Sequence, residues 1–502
     1  MTSRLPRALA LATVALLALP ALALAQDEAS LTQTTTNLDT TWVMVAAILV
    51  MFMQAGFAFL EIGFSRAKNA GAGIAKILTN FSIAGLAYWA VGFALAFGGA
   101  GAIAGTEGFF LNVSMDSEVA GESIPLLEGG GINPAALLFF QFVFCAVSLA
   151  IVWGTTLERI KFGAYIIYAV VFSALIYPVL SHWIFAGGFL QEGFLGLPGM
   201  QDFAGSTVVH LIGATGALAA LLLLGPRRGK YGPDGKPRAI PGHSMPLVGL
   251  GVLILWLGWF GFNPGSTLGA ADGRFAEVAL VTNLSAAAGV IGATIAIYAL
   301  GKTIDIGMVG NGAIAGLVGI TAPSGYVEFW AAPVIGLIAG VIVVVGVLAI
   351  EKKLDDPVGA LSAHGLAGIW GTVACGVFTA PRLAELNGVG EAGLWYSGSF
   401  AQLGAQVVGV TVAFVVVFVV SFAVFYAIKK TIGLRVSAEQ EDAGLDIVEH
   451  GMYGYPEQFI PLPEMGAASS GPLARPSLTG SGSPATAASA RSTSSDREEV
   501  PA

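Results

Sequence analysis

Charge is scarce in this chain of 502 residues: Asp, Glu, Lys and Arg together make up 11% of it, against 55% hydrophobic residues. A soluble domain carries about 25% charged residues, so a water-facing surface is excluded for most of the length. Cysteine is nearly absent. Cys145 and Cys375 each fall inside an apolar run, without the neighbours that a disulfide framework or a thiolate metal site requires, and both read as packing residues. No P-loop, Cys-x-x-Cys motif or Ser/His/Asp set is present, which leaves no enzyme machinery in view. The chain is expected to be no enzyme and to use no cofactor, metal or nucleic acid.

Long apolar runs stand in place of what is missing. They lie near 41 to 64, 73 to 100, 134 to 157, 162 to 186, 204 to 225, 244 to 263, 276 to 300, 307 to 325, 329 to 350, 359 to 380 and 401 to 428. Each approaches the roughly 20 residues that cross a hydrocarbon core as a helix. The expected fold is an all-α integral membrane protein of eleven transmembrane helices.

Ahead of the first run, Arg4 and Arg7 precede an apolar stretch from Ala8 to Leu19, and Ala23-Leu24-Ala25 comes before Gln26. That order is a secretory signal peptide over 1–25, with an uncleaved first helix as the alternative. Residues 26–40 then lie outside and 41–430 form the membrane domain. Arg66, Lys68, Arg159, Lys161, the cluster Arg227 to Arg238, Lys302, Lys352, Lys353, Lys429, Lys430 and Arg435 fall in alternate loops, whereas the opposite loops hold only Arg274 and Arg382. The positive-inside bias places the N-terminus outside and the C-terminus in the cytoplasm, in a cell inner (plasma) membrane. Residues 431–465 form a cytoplasmic tail with an acidic stretch from Glu439 to Glu449, and 466–502 are a Ser/Ala/Gly/Pro-rich segment expected to be disordered.

Two histidines lie deep within runs, His210 in the fifth and His364 in the tenth. Each follows an aspartate by eight residues, Asp202 and Asp356, and by the orientation above the two segments enter the membrane from opposite sides. This predicts a 5+5 inverted repeat plus one long C-terminal helix, with the imidazoles meeting near mid-bilayer. Intramembrane ionisable groups mark function by default. Packing histidines and a metal or haem site are the other readings. A neutral imidazole pair offers donor and acceptor to a small polar molecule or a proton, but not the several oxygen ligands that would replace the hydration shell of sodium or potassium.

The stretch Asp202-Phe203-Ala204-Gly205-Ser206-Thr207-Val208-Val209-His210 resembles a signature of the ammonium transporter (Amt/Mep/Rh) family, bacterial Amt type. Phe140-Gln141 with Phe144, Leu157-Glu158-Arg159-Ile160, Gly258-Trp259-Phe260-Gly261-Phe262-Asn263-Pro264-Gly265-Ser266 and Asp355-Asp356-Pro357 with His364 match in the same order. The likeness covers about residues 40 to 455.

The resemblance implies conduction of ammonium or ammonia, with methylammonium as analogue, for nitrogen uptake. It implies an outer vestibule where Phe140, Phe144 and Phe185 meet the cation through their π faces. Ser266 supplies the hydroxyl there and Asp202 supports the site, although the aspartate reads equally as an N-cap of the fifth helix. The family's tryptophan falls on Phe185, a weaker π face without an N–H donor. Phe144 and Phe262 match a stacked pore gate, and His210 and His364 line the pore beneath it as a proton relay. A homotrimer and a PII-type signal protein at the tail are implied as partners beside the lipid bilayer, with a solvated linker as the other reading of the acidic tail. Rival functions are a Rhesus-like gas channel and a membrane sensor that signals through its tail, although no kinase, cyclase or receiver domain follows residue 430 in this sequence.

Overall fold

The computed structural model describes residues 5–99, 101–128 and 130–460, with side chains from Leu31 onward. Among the described residues, eleven segments build the bundle. They are α1 (Leu5–Phe64), α2 (Ala67–Phe97), α3 (Pro134–Thr155), α4 (162–185), α5 (Ser206–Leu224), α6 (Met245–Phe262), α7 (Arg274–Gly301), α8 (Ile306–Thr321), α9 (Ala331–Ile350), α10 (Leu361–Phe378) and α11 (Ala401–Thr431). Ten are long and apolar enough to cross a membrane. Helix α8, at 16 residues, is shorter, and a 3-10 turn over Pro323–Gly325 prolongs it. Residues 5–25, read above as a signal peptide, form the start of α1 in the uncut chain. Among the described residues no β-sheet forms, as expected where each backbone group in hydrocarbon must bond within its own helix.

Local sequence explains where helices begin. Asn133 accepts from the Ala135 N–H ahead of Pro134, Ser244 caps α6 just before Met245-Pro246, and Asp305 accepts from the Met308 N–H to start α8; a side-chain acceptor at the N-cap and proline in the first turn are the favoured starts. Leu253, Ile295, Val345 and Val419 point outward, as side chains that face lipid do. Inside, small residues bring helices close: a Cβ on Gly289 of α7 would stand 2.4 Å from the Gly312 carbonyl oxygen of α8, so only glycine permits that crossing.

The neighbour pattern repeats. Helix α1 packs on α3, α2 on α3 and α4, and α3 on α5; likewise α6 packs on α8, α7 on α8 and α9, and α8 on α10. The halves meet through α1 against α6, and α11 lies across α5 and α10. Both histidine helices open with a wide π-turn, Ser206–Leu211 and Leu361–Leu366. They start at opposite ends of the bundle, because Asp202 lines a cavity with Phe140 and Ser266 whereas Asp356 lines another with Arg227 and Lys230. These are called here the vestibule end and the tail end.

At the tail end, residues 437–455 fold against the bundle. Ser437 and Gln440 form a capping box, Asp446 accepts from the N–H groups of Gly71 and Ala72, and Glu449 reaches Lys76 at 3.3 Å and the Phe162 N–H at 2.8 Å. Glu441 and Asp446 are buried, with backbone and cationic partners in place of water, so the solvated-linker reading fails for them, whereas Glu439 and Asp442 stay exposed. Pro456–Phe459 is a short helix of a separate unit. The segment 466–502 lies outside the described residues.

Candidate functional site

The vestibule end holds a cavity of about 230 Å³ lined by Phe140, Phe144, Phe185, Asp202 and Ser266, together with Gln141 and Tyr326. All five residues expected there from sequence reach the one cavity. Trp183 does not: its indole N–H donates to the Ile103 carbonyl at 2.8 Å and its ring packs on Phe189. Ser266 sits in the 3-10 turn that follows α6 and donates its hydroxyl to the Phe262 carbonyl at 2.9 Å, which fixes the oxygen at the cavity wall with its lone pairs free to accept. A Cβ at neighbouring Gly265 would stand 2.8 Å from the Phe140 ring, so glycine lets that ring close over the turn.

Asp202 owes its position to the start of α5. Its Oδ1 accepts from the N–H groups of Gly205 and Ser206, and its Oδ2 from Thr207 and Val208, at 2.8 to 3.0 Å. Gly205, with φ +116°, takes the left-handed conformation that lets the chain double back over the carboxylate. The four donors satisfy the first turn of the helix, and the carboxylate places negative charge beneath the aromatic cavity. Asp356 does the same at the tail end for Val358, Gly359 and Leu361.

Below the vestibule the rings form a column. Phe140 and Phe144 lie 4.6 Å apart between centroids, and Phe144 stacks on Phe262 at 4.1 Å and 28°. Phe262 stacks on His210 at 5.5 Å, and His210 on His364 at 5.2 Å. Phe144, Phe262 and His210 are closed to solvent. The histidine Nδ1 atoms are 3.1 Å apart, a hydrogen bond in which one ring donates and the other must accept. At least one imidazole is therefore neutral. The Nε2 of His210 is buried without a protein partner, leaving one polar atom of the column available to a passing molecule.

Sequence reasoning left out several residues of this site. Trp259 stacks on His210 at 5.2 Å and 18°, held by its own N–H bond to the Thr321 hydroxyl at 2.9 Å. Phe57 of α1 lies 6.3 Å from His364. Glu61, on the same helix, lines a small tail-end cavity with His364; the signal was an acidic residue inside the apolar run 41 to 64. The Leu157–Ile160 and Asp355–Pro357 motifs also turn out to be one structure. Arg227 donates to both carboxylate oxygens of Asp355 through its Nε and Nη2, each at 2.9 Å, and Glu158 accepts from the Arg66 side chain at 2.7 Å. Burial alone would raise the Asp355 carboxyl, but the hydrogen bonds of Arg227 and the charges of Arg159 and Arg227 outweigh it and hold it at about 2.

Comparison with known proteins accords with this geometry. The Ammonium Transporter Family model matches residues 41–455. Ammonium transporter Amt2 of Archaeoglobus fulgidus is 44% identical over 427 residues, covering 83% of this chain and 88% of that one, and an ammonium transporter of Mycobacterium tuberculosis is 32% identical over 440 residues, covering 83% and 90%. Among solved structures, one named Sensor Amt Protein aligns with a TM-score of 0.74 at 36% identity over 83% of this chain and 99% of that chain. Saccharomyces cerevisiae Mep2 aligns with 0.72 at 27% identity over 85% and 93%. A multi-pass membrane protein with this match along its bundle belongs to the Ammonium Transporter Family.

Proposed function

We propose that the chain carries ammonium across the membrane and that a cation enters at the vestibule end, loses its proton above the Phe144–Phe262 pair, and continues as ammonia past His210 and His364. The chemistry follows from the residues. Phe140, Phe144 and Phe185 attract a small cation by their π faces, worth about 0.5 to 2 kcal/mol per favourable ring, while Ser266 accepts one of its N–H bonds and Asp202 supplies a favourable field. A hydrated sodium or potassium ion has no comparable set of oxygens waiting in the column. A neutral ammonia offers what the imidazoles can use: a lone pair and three N–H donors.

The observation that carries this reading is the 3.1 Å contact between His210 and His364, one from each half of the repeat, in a passage closed by stacked rings. The vestibule end faces outward and the tail end the cytoplasm of the inner membrane, as the Lys and Arg bias requires, and cleavage near Gln26 leaves the spanning part of α1 intact. Outward apolar faces suit lipid and a homotrimer, and the folded tail presents a surface to a PII-type protein.

Uptake of labelled methylammonium by cells lacking their own transporter tests the reading. Uptake by the intact chain, lost in His210→Ala/His364→Ala, is the expected result. Binding without uptake would favour a sensor, the word carried by the name of one solved relative.

A further inference from the structure

One acidic group in the bundle has no use in the pathway above. Glu61 stands one turn before the end of α1, 1% exposed. Its Oε1 rests against the α3 backbone, where a Cβ on Gly154 would come within 2.7 Å, and its Oε2 is buried with no hydrogen-bond partner. Among the described residues no Lys or Arg lies within ion-pair distance. The nearby ammonium of Lys76 sits over the Trp153 ring at 4.5 Å and pairs with Glu449 instead. The Trp153 indole N–H is the polar side-chain group beside it, short of hydrogen-bond geometry. Ionising a carboxyl this deep costs several kcal/mol unless a further partner answers the charge, and within a membrane such groups mark ion or proton paths.

The cavity it faces says what would answer it. That cavity lies directly beyond the histidine pair, holds about 20 Å³, and is walled by Phe57, Leu255, Ile314 and Val358. Three polar side chains converge on it: Glu61, His364 and Asn311. Asn311 gives its N–H to the Val358 carbonyl at 3.1 Å, which leaves its oxygen to accept. The volume suits a single molecule the size of water, and three partners fall in the range such a molecule uses; ammonia has that size and the same hydrogen-bonding groups.

We propose that Glu61 is the inner protonation station of the pore, where ammonia leaving His364 becomes ammonium again. The inference rests on the reading that ammonium is deprotonated at the vestibule end. In the step, the carboxylic O–H bond breaks as the lone pair of ammonia takes the proton, forming the fourth N–H bond and leaving carboxylate. The carboxylate is recharged by a proton handed through the cavity from the imidazole pair, which receives the one released above the gate. Charge thus crosses with each molecule, and Asn311 steadies the new cation on its way to the tail-end cavity.

Glu61→Gln keeps size and shape but cannot cycle a proton. In proteoliposomes of the full chain, two readouts are compared: current on an ammonium jump, and alkalinisation of the lumen by ammonia entry. In wild type each ammonia carries its proton across, so lumenal pH should hardly rise; the expected result in Glu61→Gln is current at least ten-fold below wild type with lumenal alkalinisation at least two-fold above it, and partial return of current in Glu61→Asp. Alkalinisation above wild type shows that the variant pore is folded and open to ammonia without its proton. Current equal to wild type in Glu61→Gln overturns the proposal, as does loss of current with no alkalinisation above wild type in a variant with unchanged thermal midpoint, which makes Glu61 a strut. Wild type that moves methylammonium without current overturns the charge-coupled step alone, whereas wild type that moves none overturns the transport reading and this proposal with it.

Discussion

Asp202 and Asp356 are related across the repeat as caps of opposite ends: the first gathers four backbone N–H groups where α5 enters the bundle from the vestibule, the second gathers three where α10 enters from the tail end. Each orients a π-turn that contains one of the two paired histidines. The caps thus set the position of the imidazoles, and the Nδ1 contact of 3.1 Å depends on both.

Replacing Asp202 with Asn puts a donor where only acceptors fit, because every neighbour of the carboxylate is an N–H. Hydrogen bonds to a charged group are worth about 1.5–3 kcal/mol each, so Asp202→Asn is expected to lower the thermal midpoint clearly and reduce methylammonium uptake at least ten-fold. Asp202→Glu, with the charge kept but displaced, should recover stability better than uptake. Thermal unfolding and uptake on the same preparations check both.

At the vestibule, Ser266→Ala removes one acceptor from a cavity whose rings remain. A single hydrogen bond contributes about 0.5–1.5 kcal/mol, which is a two- to ten-fold rise in the half-saturating methylammonium concentration with little change in the maximal rate. Phe185→Trp should act in the opposite direction, since indole is the stronger π partner. Concentration series for both variants decide it.

The ion pair at the tail end predicts a response to acid. Asp355 is held at about 2 in the folded chain, against about 3.9 for a free aspartate. A carboxyl depressed by folding adds stability that is present above pH about 4 and is lost as pH falls toward 2, here amounting to about 2 kcal/mol. Detergent-solubilised wild type should lose thermal stability over that window, and Asp355→Asn should lose it at neutral pH and respond less to acid. Arg227→Ala removes the two-bond partner of buried Asp355 and leaves only the more distant Arg159 at 4.0 Å, and should cost about 3–5 kcal/mol.

Phe262 is held by stacking on both sides, at 4.1 Å to Phe144 and 5.5 Å to His210. Phe262→Ala removes a fully buried ring, with an expected loss of about 3–5 kcal/mol, and lets the His210 ring tilt. Leakage of protons through liposomes carrying this variant, faster than through wild type under an imposed pH gradient, is the expected measurement.

Much of this architecture is legible in the sequence because hydropathy and loop charge act over whole helices. Eleven spans, their alternation and the Asp-to-His interval at 202–210 and 356–364 need no knowledge of contacts. The rest depends on pairings between distant segments that leave no periodic trace. Nothing in Leu157–Ile160 announces that it shares a salt-bridge cluster with Arg227 and Asp355, nor that Glu441 and Asp446 bind the bundle. Trp259 belongs to the Gly258–Ser266 motif, but its stacking on His210 joins two distant segments and leaves no sign in either. Helix limits shifted where backbone chemistry outweighed hydropathy: α2 starts at Ala67 instead of 73, and α8 stops short of Pro323, whose missing N–H and ring cannot continue an α-helix.

The central claim is that a dry, histidine-lined column passes a small nitrogen compound able to give up a proton and refuses metal cations of the same charge. Proteoliposomes containing wild-type chain, challenged in turn with equal jumps of ammonium and potassium chloride at fixed pH, test it most directly. The account predicts transport with ammonium and none above the empty-liposome background with potassium. Potassium flux matching that of ammonium would contradict it.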